Sequence, residues 1–350
     1  MDTNTQKSIK QNYYVVDIFK FIFCIFVIAI HTNLLEHFPD NAQFYIEKSL
    51  FRLAVPFFFI TSGFLLGNKI IYSNDPKRII VSYSKRLLRI LIIFEPLSIL
   101  INLPIYYFKY KSIVIALLYT IRDILFYPKG ALWFIQACII GAWIIYFFFK
   151  GNKEKILVCL SILLYLFALI SNSYYFIISN TPFAKVITGL LNIIVSTRNG
   201  IFVGVPLLYI GIIVARIHAS ENGTNYNQYK VISLITFFLF ILELMFIKDK
   251  TMIDDGSLYV FMPIFIASLL LFILKFQTSN DGITQQFRNL STGMYLLHSP
   301  INLIIYYAPL YTIKYEMSGE LRFVITSVIA FTLCIISYKS KNKKINTLLK

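Results

Sequence analysis

Long apolar segments recur along this chain of 350 residues and constrain its fold more than any other feature. Their lengths, about 17 to 22 residues, match a helix that crosses the ~30 Å hydrocarbon layer of a membrane. Hydrophobic residues make up 57% of the sequence and charged residues only 14%, against about 25% charged residues in soluble domains. The short alternating segments of a membrane β-barrel are not seen. The sequence therefore predicts an all-α fold, a polytopic transmembrane helical bundle.

The apolar segments predict about ten spans in a single membrane domain over 1–350. Shorter apolar segments at 113–126 and 183–197 are predicted as re-entrant or interfacial pieces, and either could be an eleventh span. A polar segment at 1–14 and a basic tail at 339–350 flank the bundle. The predicted spans are 15–35, 50–68, 90–108, 131–149, 156–172, 200–215, 231–247, 257–274, 290–308 and 321–338.

Lysine and arginine are distributed unevenly between the two sides that these spans define. With the N-terminus inside, the inner segments hold 20 of the 33 Lys and Arg residues. Because cytoplasmic loops carry such an excess, we expect a plasma-membrane protein with both termini in the cytoplasm. The net charge of +16 then lies mainly along the inner face, where it meets anionic lipid, and no nucleic-acid partner is expected.

The cysteines show no spacing that indicates a metal site or a disulfide framework. Cys24, Cys138, Cys159 and Cys334 all fall inside apolar segments. Glycine-rich phosphate loops, nucleotide fingerprints and zinc motifs are also missing from the sequence. We therefore expect no metal, and the cysteines are interpreted as small core residues.

The first span carries polar residues where lipid-facing side chains would be apolar. Lys20 and His31 are eleven residues apart, which places them on one helix face and roughly 16 Å apart along the axis. Asp17 lies one turn before Lys20, at the spacing of an ion pair. Ionisable groups inside a span cost free energy unless they face a partner or a cavity. We expect His31 to be functional, whereas Lys20 could equally reach toward the headgroups.

Two further groups of polar residues follow. Arg52 begins the second span at about the depth of His31, and Ser62 lies further along that span. Arg86 and Arg89, at i and i+3, present two guanidinium groups on one helix face, which suits a phosphate. Topogenic charge explains that pair equally well.

The later spans supply the remaining candidates for a substrate cavity. Trp133 begins a span and could instead be an interfacial anchor. Arg198 and Asn199 precede another span, and His298 follows Ser291 by seven residues. His298 could line the cavity or be a satisfied buried histidine.

Taken together and in order, these motifs resemble the acyltransferase-3 family of membrane acyltransferases. Many members have arginine where this chain has Lys20, so bidentate binding is not expected there. The matching motifs cover most of the chain. They are Lys20-x10-His31, the Arg-x-x-Val-Pro-Phe-Phe-Phe-x-x-Ser-Gly-Phe run at Arg52–Phe64, Arg86-Leu-Leu-Arg89, Leu132-Trp133-Phe134 and Ser291-Thr-Gly-Met-Tyr-Leu-Leu-His298.

Within that family, a second resemblance narrows the comparison. The run Thr197-Arg198-Asn199-Gly200, with the Phe-x-Gly that follows, is similar to the membrane portion of the serine racemases linked to vancomycin resistance. Those proteins carry a cytosolic racemase domain after the membrane portion. The present sequence ends at Lys350, so no racemase activity is expected of it.

The resemblance implies transfer of an acyl group, usually acetyl, from cytosolic acyl-CoA to a hydroxyl of a cell-envelope or extracellular carbohydrate. His31 would act as general base, and Arg52 would stabilise the oxyanion or orient the acyl carbonyl. Lys20, Arg86 and Arg89 would hold acyl-CoA. The substrate cavity would be lined by Ser62, Trp133, Arg198, Asn199 and His298.

Two other functions remain open on the sequence. A membrane transporter of a small polar solute such as serine would take up solute without consuming acyl-CoA, although no inverted repeat or pair of half-helices indicates one. A non-catalytic scaffold would need none of the charges inside the spans. Radiolabelled acetyl-CoA supplied to inside-out vesicles separates the three, because only the acyltransferase labels envelope polymer.

The charge distribution generates a prediction about topology. Reporters fused after Lys350 and within 69–89 are expected in the cytoplasm, and a reporter within 37–48 is expected outside, because the basic segments stay inside. Paired phosphatase and fluorescent-protein fusions measure this directly. A cytoplasmic signal from 37–48 would reverse the orientation and the mechanism that depends on it.

Overall fold

The computed structural model describes residues 13–220, 226–276 and 283–339. Most of the predicted polar segment 1–14 and nearly all of the basic tail 339–350 therefore lie outside the described residues. Within the described residues the chain is helical and contains no strand, so the all-α prediction is confirmed.

The helices follow one another with short connections. A short 3-10 turn, Phe51–Leu53, leads into α3, another lies at Tyr175–Ile177, and a π-helical turn, Gly200–Gly204, leads into α9. The helices are α1 Tyr14–Thr32, α2 Asp40–Ser49, α3 Ala54–Ile71, α4 Pro76–Tyr110, α5 Ile113–Phe126, α6 Leu132–Lys150, α7 Glu154–Ile170, α8 Pro182–Ile194, α9 Val205–Ser220, α10 Tyr226–Ile247, α11 Phe261–Ile273, α12 Ile283–Ile313 and α13 Gly319–Lys339.

Each of the predicted spans coincides with one of these helices. The predicted number of spans, about ten, stays approximate, because not every one of these helices is long and apolar enough to cross a membrane. Among the described residues, 7 helical segments are long and apolar enough to cross a membrane by length and composition. Helices α7 and α11, with 17 and 13 residues, are shorter. The two shorter apolar segments form α5 and α8, which contact each other. The guanidinium of Arg122 in α5 donates to the carbonyl of Asn192 in α8 at 3.3 Å.

One predicted boundary is wrong. The third span is predicted to begin at residue 90, but α4 begins at Pro76 and carries Arg86 and Arg89 inside a helix of 35 residues. The helix starts early because the Asp75 side chain accepts a hydrogen bond from the backbone N–H of Arg78 at 3.0 Å and proline occupies the first turn. Both features stabilise a helix N-terminus.

Because the long helices alternate in direction, their connections lie at two opposite ends of the bundle. The terminal end contains the start of α1, the start of α4 and the last turn of α13. The loop end contains the connections at 33–53, 127–131, 171–199 and 248–260. These two names are used below, and they imply no orientation in a membrane.

Helices α3 and α9 are in direct backbone contact, and this contact depends on glycine. A Cβ atom at Gly211 of α9 would overlap the α3 backbone at Ile60 and Phe64. A Cβ atom at Gly63 of α3 would overlap the backbone of Leu208 in α9. Small residues allow such backbone contact, which supplies packing energy in a membrane where helices gain little from the hydrophobic effect. Arg52 precedes α3 and Arg198 precedes α9, so this contact sets the distance between the two arginines.

The glycine contact generates a stability prediction. Gly211→Ala is expected to destabilise the protein by about 1–3 kcal/mol, the usual cost of overpacking, because the added methyl has no space against α3. Gly189→Ala is the matched control, since nothing lies within 4 Å of its added Cβ atom and it makes the same chemical change inside a helix. Thermal unfolding of the two purified variants in detergent measures the difference. Equal stabilities would show that α9 can move away from α3 without cost.

Candidate functional site

A pair of histidines lies at the loop end of α1 and α12. The rings of His31 and His298 are 5.1 Å apart between centroids. The His31 side chain is exposed, whereas His298 is fully buried. The Asn302 side chain donates to the carbonyl oxygen of His31 at 2.8 Å, which fixes the register of α12 against α1. Nδ1 of His298 lies 3.3 Å from the carbonyl of Met294.

Two arginines converge on one carboxylate beside these histidines. Nη1 of Arg52 and Nη1 of Arg198 both contact Oδ2 of Asp255, the second at 2.6 Å. Arg52 also pairs with Glu47 at 2.8 Å, and Arg198 pairs with Asp254 at 3.3 Å. We call the space between the guanidinium groups of Arg52 and Arg198 the two-arginine site.

The environment of Asp255 keeps this carboxylate charged. It lies in the connection 248–260, outside the helices. Burial favours its neutral acid, but Arg198 and Arg52 outweigh burial and hold the pKa of Asp255 well below its usual range. Both arginines and Asp255 lie near enough to His31 to interact with it electrostatically. The exposed imidazole therefore lies beside a balanced set of charges.

Aromatic rings fix the position of Arg198. Its guanidinium carbon lies 5.7 Å from the ring centroid of Tyr127 and 5.6 Å from that of Trp133. The two rings stack on each other at 5.4 Å with an interplanar angle of 13°. Cation–π contacts of this kind hold a guanidinium without competing for its hydrogen-bond donors. Trp133 is buried, so it is a wall of the site and not a surface anchor.

Two predicted cavity residues have other surroundings. The Asn199 side chain accepts hydrogen bonds from the backbone N–H groups of Ile201 and Phe202, and its amide donates to the carbonyl of Ser196. It therefore caps the π-helical turn before α9. Ser62 lies ten residues along the chain from Arg52, roughly 15 Å at the rise of a helix. It is half-buried in α3 and does not reach the two-arginine site.

A second set of charges lies at the terminal end. Asp17 contacts Lys20 at 3.6 Å and Arg288 of α12 at 2.7 Å. Arg86 lies near enough to Lys20 to repel its charge, and Arg89 is exposed one helical turn away. We call Lys20, Arg86, Arg89 and Arg288 the cationic cluster. The structure thus brings together the three predicted donor-binding residues and adds Arg288.

Sequence reasoning missed Arg288, Asp254 and Asp255. Arg288 precedes the Ser291–His298 motif by one helical turn, which is the signal that could have found it. Asp254 and Asp255 stand side by side in a short connection at the loop end, and acidic residues in such connections are usually solvated surface charges. Only the packing of 248–260 over the bundle shows that they contact the arginines.

A further charged group at the loop end joins α13 to the segment after α1. Nδ1 of His37 lies 3.0 Å from Oε1 of Glu320, and the hydrogen bond to that carboxylate raises the pKa of His37. Glu36 accepts from Arg322 at 3.3 Å and from the backbone N–H of Gly319. Glu36, His37 and Glu320 have the composition of a metal site, but the pairing of Glu36 with Arg322 makes them an ion-pair connection between two segments.

Comparison with known proteins gives one family and several relatives. The family described as an acyltransferase domain matches residues 13–339. An amino-acid racemase of Enterococcus faecalis is 27% identical over 342 residues, covering 94% of this chain and 46% of the racemase. A serine/alanine racemase of Enterococcus gallinarum is 25% identical over 289 residues, covering 81% of this chain and 40% of the relative. The chain thus spans less than half the length of these curated relatives, and no solved structure matches it.

Proposed function

Since this chain belongs to the acyltransferase-3 family, we propose that it is a membrane O-acyltransferase. It moves an acyl group, normally acetyl, from cytosolic acyl-CoA to a hydroxyl of a cell-envelope or extracellular carbohydrate. The observation that carries this proposal is the placement of two polar sites along one face of α1. The cationic cluster surrounds Lys20 at one end, and the two-arginine site adjoins His31 at the other.

The cationic cluster suits the donor. Acyl-CoA carries several phosphate charges on a nucleotide, and guanidinium groups bind phosphate through charge-assisted hydrogen bonds. Arg86 and Arg89 are exposed on α4, so they are accessible to a ligand from the terminal end. Lys20 is held against Asp17 and supplies a point charge deeper in the bundle. This assignment puts the terminal end in the cytoplasm, in agreement with the charge distribution of the sequence.

The loop-end site, which comprises His31, His298, Arg52 and Arg198, suits the transfer step. Nitrogen of the His31 imidazole takes the proton of the acceptor hydroxyl, and the hydroxyl oxygen forms a bond to the thioester carbonyl carbon. Arg52 stabilises the negative charge that develops on the carbonyl oxygen. When the carbon–sulfur bond breaks, the proton passes to the sulfur and free CoA leaves as the thiol. His298, 5.1 Å away, supplies a second imidazole to the same site.

An alternative function is transport of a small polar solute such as serine. It is favoured by the names of the relatives, which are racemases of amino acids, and by the 94% of this chain that one of them matches. Inside-out vesicles supplied with radiolabelled acetyl-CoA separate the two functions. Label in envelope polymer supports transfer, whereas serine uptake without loss of acetyl-CoA supports transport.

The position of His31 generates a catalytic prediction. His31→Gln keeps polarity but has no useful basicity, and His31→Ala removes the imidazole. Both are expected to reduce transfer at least about a hundredfold, the lower end of general-base contributions. Membrane level, acyl-CoA binding and transfer rate are measured together. His37→Gln is the matched control, since His37 lies at the same end of the bundle outside the site and its loss should leave transfer near normal.

Near-normal transfer by His31→Gln would make His31 an orienting residue and His298 the next candidate base. Failure of both variants to accumulate would instead assign a structural role to His31. The Asn302 contact argues against that outcome, because Asn302 bonds to the backbone carbonyl of His31 and not to its ring.

The cationic cluster generates a prediction about the donor. Replacing Arg86 and Arg89 together by Ala is expected to raise the KM for acyl-CoA with less effect on kcat, because contacts to phosphate are lost. Replacing Lys77 and Arg78 by Ala is the matched control, since it removes the same charge from the first turn of α4. Steady-state kinetics in vesicles measures both. An equal rise of the KM for acyl-CoA in the two double variants would show that positive charge on the inner side acts only in general. It would argue against a specific phosphate contact of Arg86 and Arg89.

A further inference from the structure

The charges of the two-arginine site are arranged around a single carboxylate oxygen. Oδ2 of Asp255 accepts from Arg52 and Arg198 together. Oδ1 of the same carboxylate is buried, and the Ser257 hydroxyl lies close enough to hydrogen-bond with this carboxylate. Asp255 therefore offers the two guanidinium groups only one of its oxygens.

Other buried polar atoms in the same region lack partners. The Asn172 side chain accepts from the backbone N–H of Ser257 at 2.6 Å, which places 171–173 against 255–258. Buried polar atoms without a partner are rare, and each one requires an explanation such as a bound ligand. Within the described residues, this region contains three of them: Ser171 Oγ, Asn172 Nδ2 and Thr197 Oγ1. Hydroxyl and amide groups of this kind match the hydroxyls of a sugar.

We propose that the two-arginine site binds the carboxylate of an acidic sugar, such as a uronic acid, and that Asp255 occupies this site only until the sugar arrives. The inference rests on the proposed function, since it assigns the chemical class of the acceptor. With the carboxylate between Arg52 and Arg198, the ring hydroxyls face the loop-end site in which His31 is exposed. The acceptor carboxylate then determines which hydroxyl reaches the imidazole.

The local charges fit one carboxylate. The site contains three cations and three anions, so its charges balance. The cations are Arg52, Arg198 and Lys48, and the anions are Glu47, Asp254 and Asp255. When Asp255 withdraws, one positive charge remains uncompensated, and a ligand with a single negative charge restores neutrality. A neutral sugar leaves that buried charge unpaired, which is costly. The site therefore distinguishes an acidic sugar from a neutral one by its charge. The neutral analogue of the acidic sugar is the control ligand.

The connection that carries Asp255 does not depend on its carboxylate. Lys48 donates to the backbone carbonyl of Asp255 at 2.6 Å. Asn172 accepts from the backbone N–H groups of Ser257 and Leu258, and its own carbonyl accepts from the N–H of Ile253 at 3.2 Å. The backbone position of 248–260 therefore does not require the Asp255 side chain to stay in the two-arginine site.

The test is equilibrium binding to the purified full chain in nanodiscs, in chloride-free buffer and without acyl-CoA. The probes are radiolabelled D-glucuronate and its neutral analogue D-glucuronamide. Wild type is expected to bind glucuronate in preference to glucuronamide, and Arg198→Gln is expected to abolish that preference. Asp255→Ala is expected to bind glucuronate about tenfold more tightly. Without the Asp255 carboxylate in the two-arginine site, a larger fraction of the protein is able to bind the sugar. Asp249→Asn, an exposed position of the same connection, is the matched control and should bind like wild type.

Equal binding of the two probes by wild type overturns the proposal, and this comparison requires no variant to fold. Weaker glucuronate binding by a folded Asp255→Ala also overturns it, since Asp255 would then support the site instead of occupying it. The acetyl-CoA vesicle assay keeps the two proposals separate. If glucuronate binds but no acyl transfer is detected, the acidic-sugar site is supported and the acyltransferase function is refuted. If acyl transfer is detected but glucuronate is not preferred over glucuronamide, only the acidic-sugar site is refuted.

Discussion

The backbone contact of α3 with α9 through Gly63 and Gly211 is the constraint on which the rest of the structure depends. Arg52 lies two residues before α3, and Arg198 precedes the π-helical turn that leads into α9. Because the two backbones touch, Arg52 and Arg198 lie close enough to share Asp255. At a wider separation the two guanidinium groups would no longer share this carboxylate, and each would keep only its own partner, Glu47 or Asp254.

At each end of the described bundle, one carboxylate lies between two cations. Asp17 lies between Lys20 and Arg288 at the terminal end, and Asp255 lies between two arginines at the loop end. Removing an ion from water costs several kcal/mol unless its partners compensate. A carboxylate between two cations provides that compensation. The terminal end keeps an excess of positive charge, whereas the loop-end charges balance while Asp255 lies between the arginines. The proposed substrates, a CoA nucleotide and an acidic sugar, are both anionic.

Much of the fold and part of the site could be predicted from the sequence, since both rest on local geometry. Apolar segments of membrane length predicted the helices, because a spanning segment must satisfy its backbone hydrogen bonds internally. The eleven-residue spacing of Lys20 and His31 predicted their shared face, because helical geometry is the same in any surroundings. The early start of α4 was missed because a capping side chain, Asp75, decided it. The cap formed by the Asn199 side chain was missed for the same reason, since an asparagine before a span can cap the helix or face a cavity.

By itself the sequence determined the class of fold, the helices and the family. The periodicity and length of the apolar segments and the order of the motifs are local features, and none of them depends on how the segments pack. It also determined that His31, Arg52 and Arg198 belong near one end. Only the tertiary structure decided which charges pair. Asp255 lies 203 residues from Arg52 and Arg288 lies 271 residues from Asp17. Such pairs depend on helix register and on the packing of connections over the bundle, and no local pattern encodes the distance between segments so far apart.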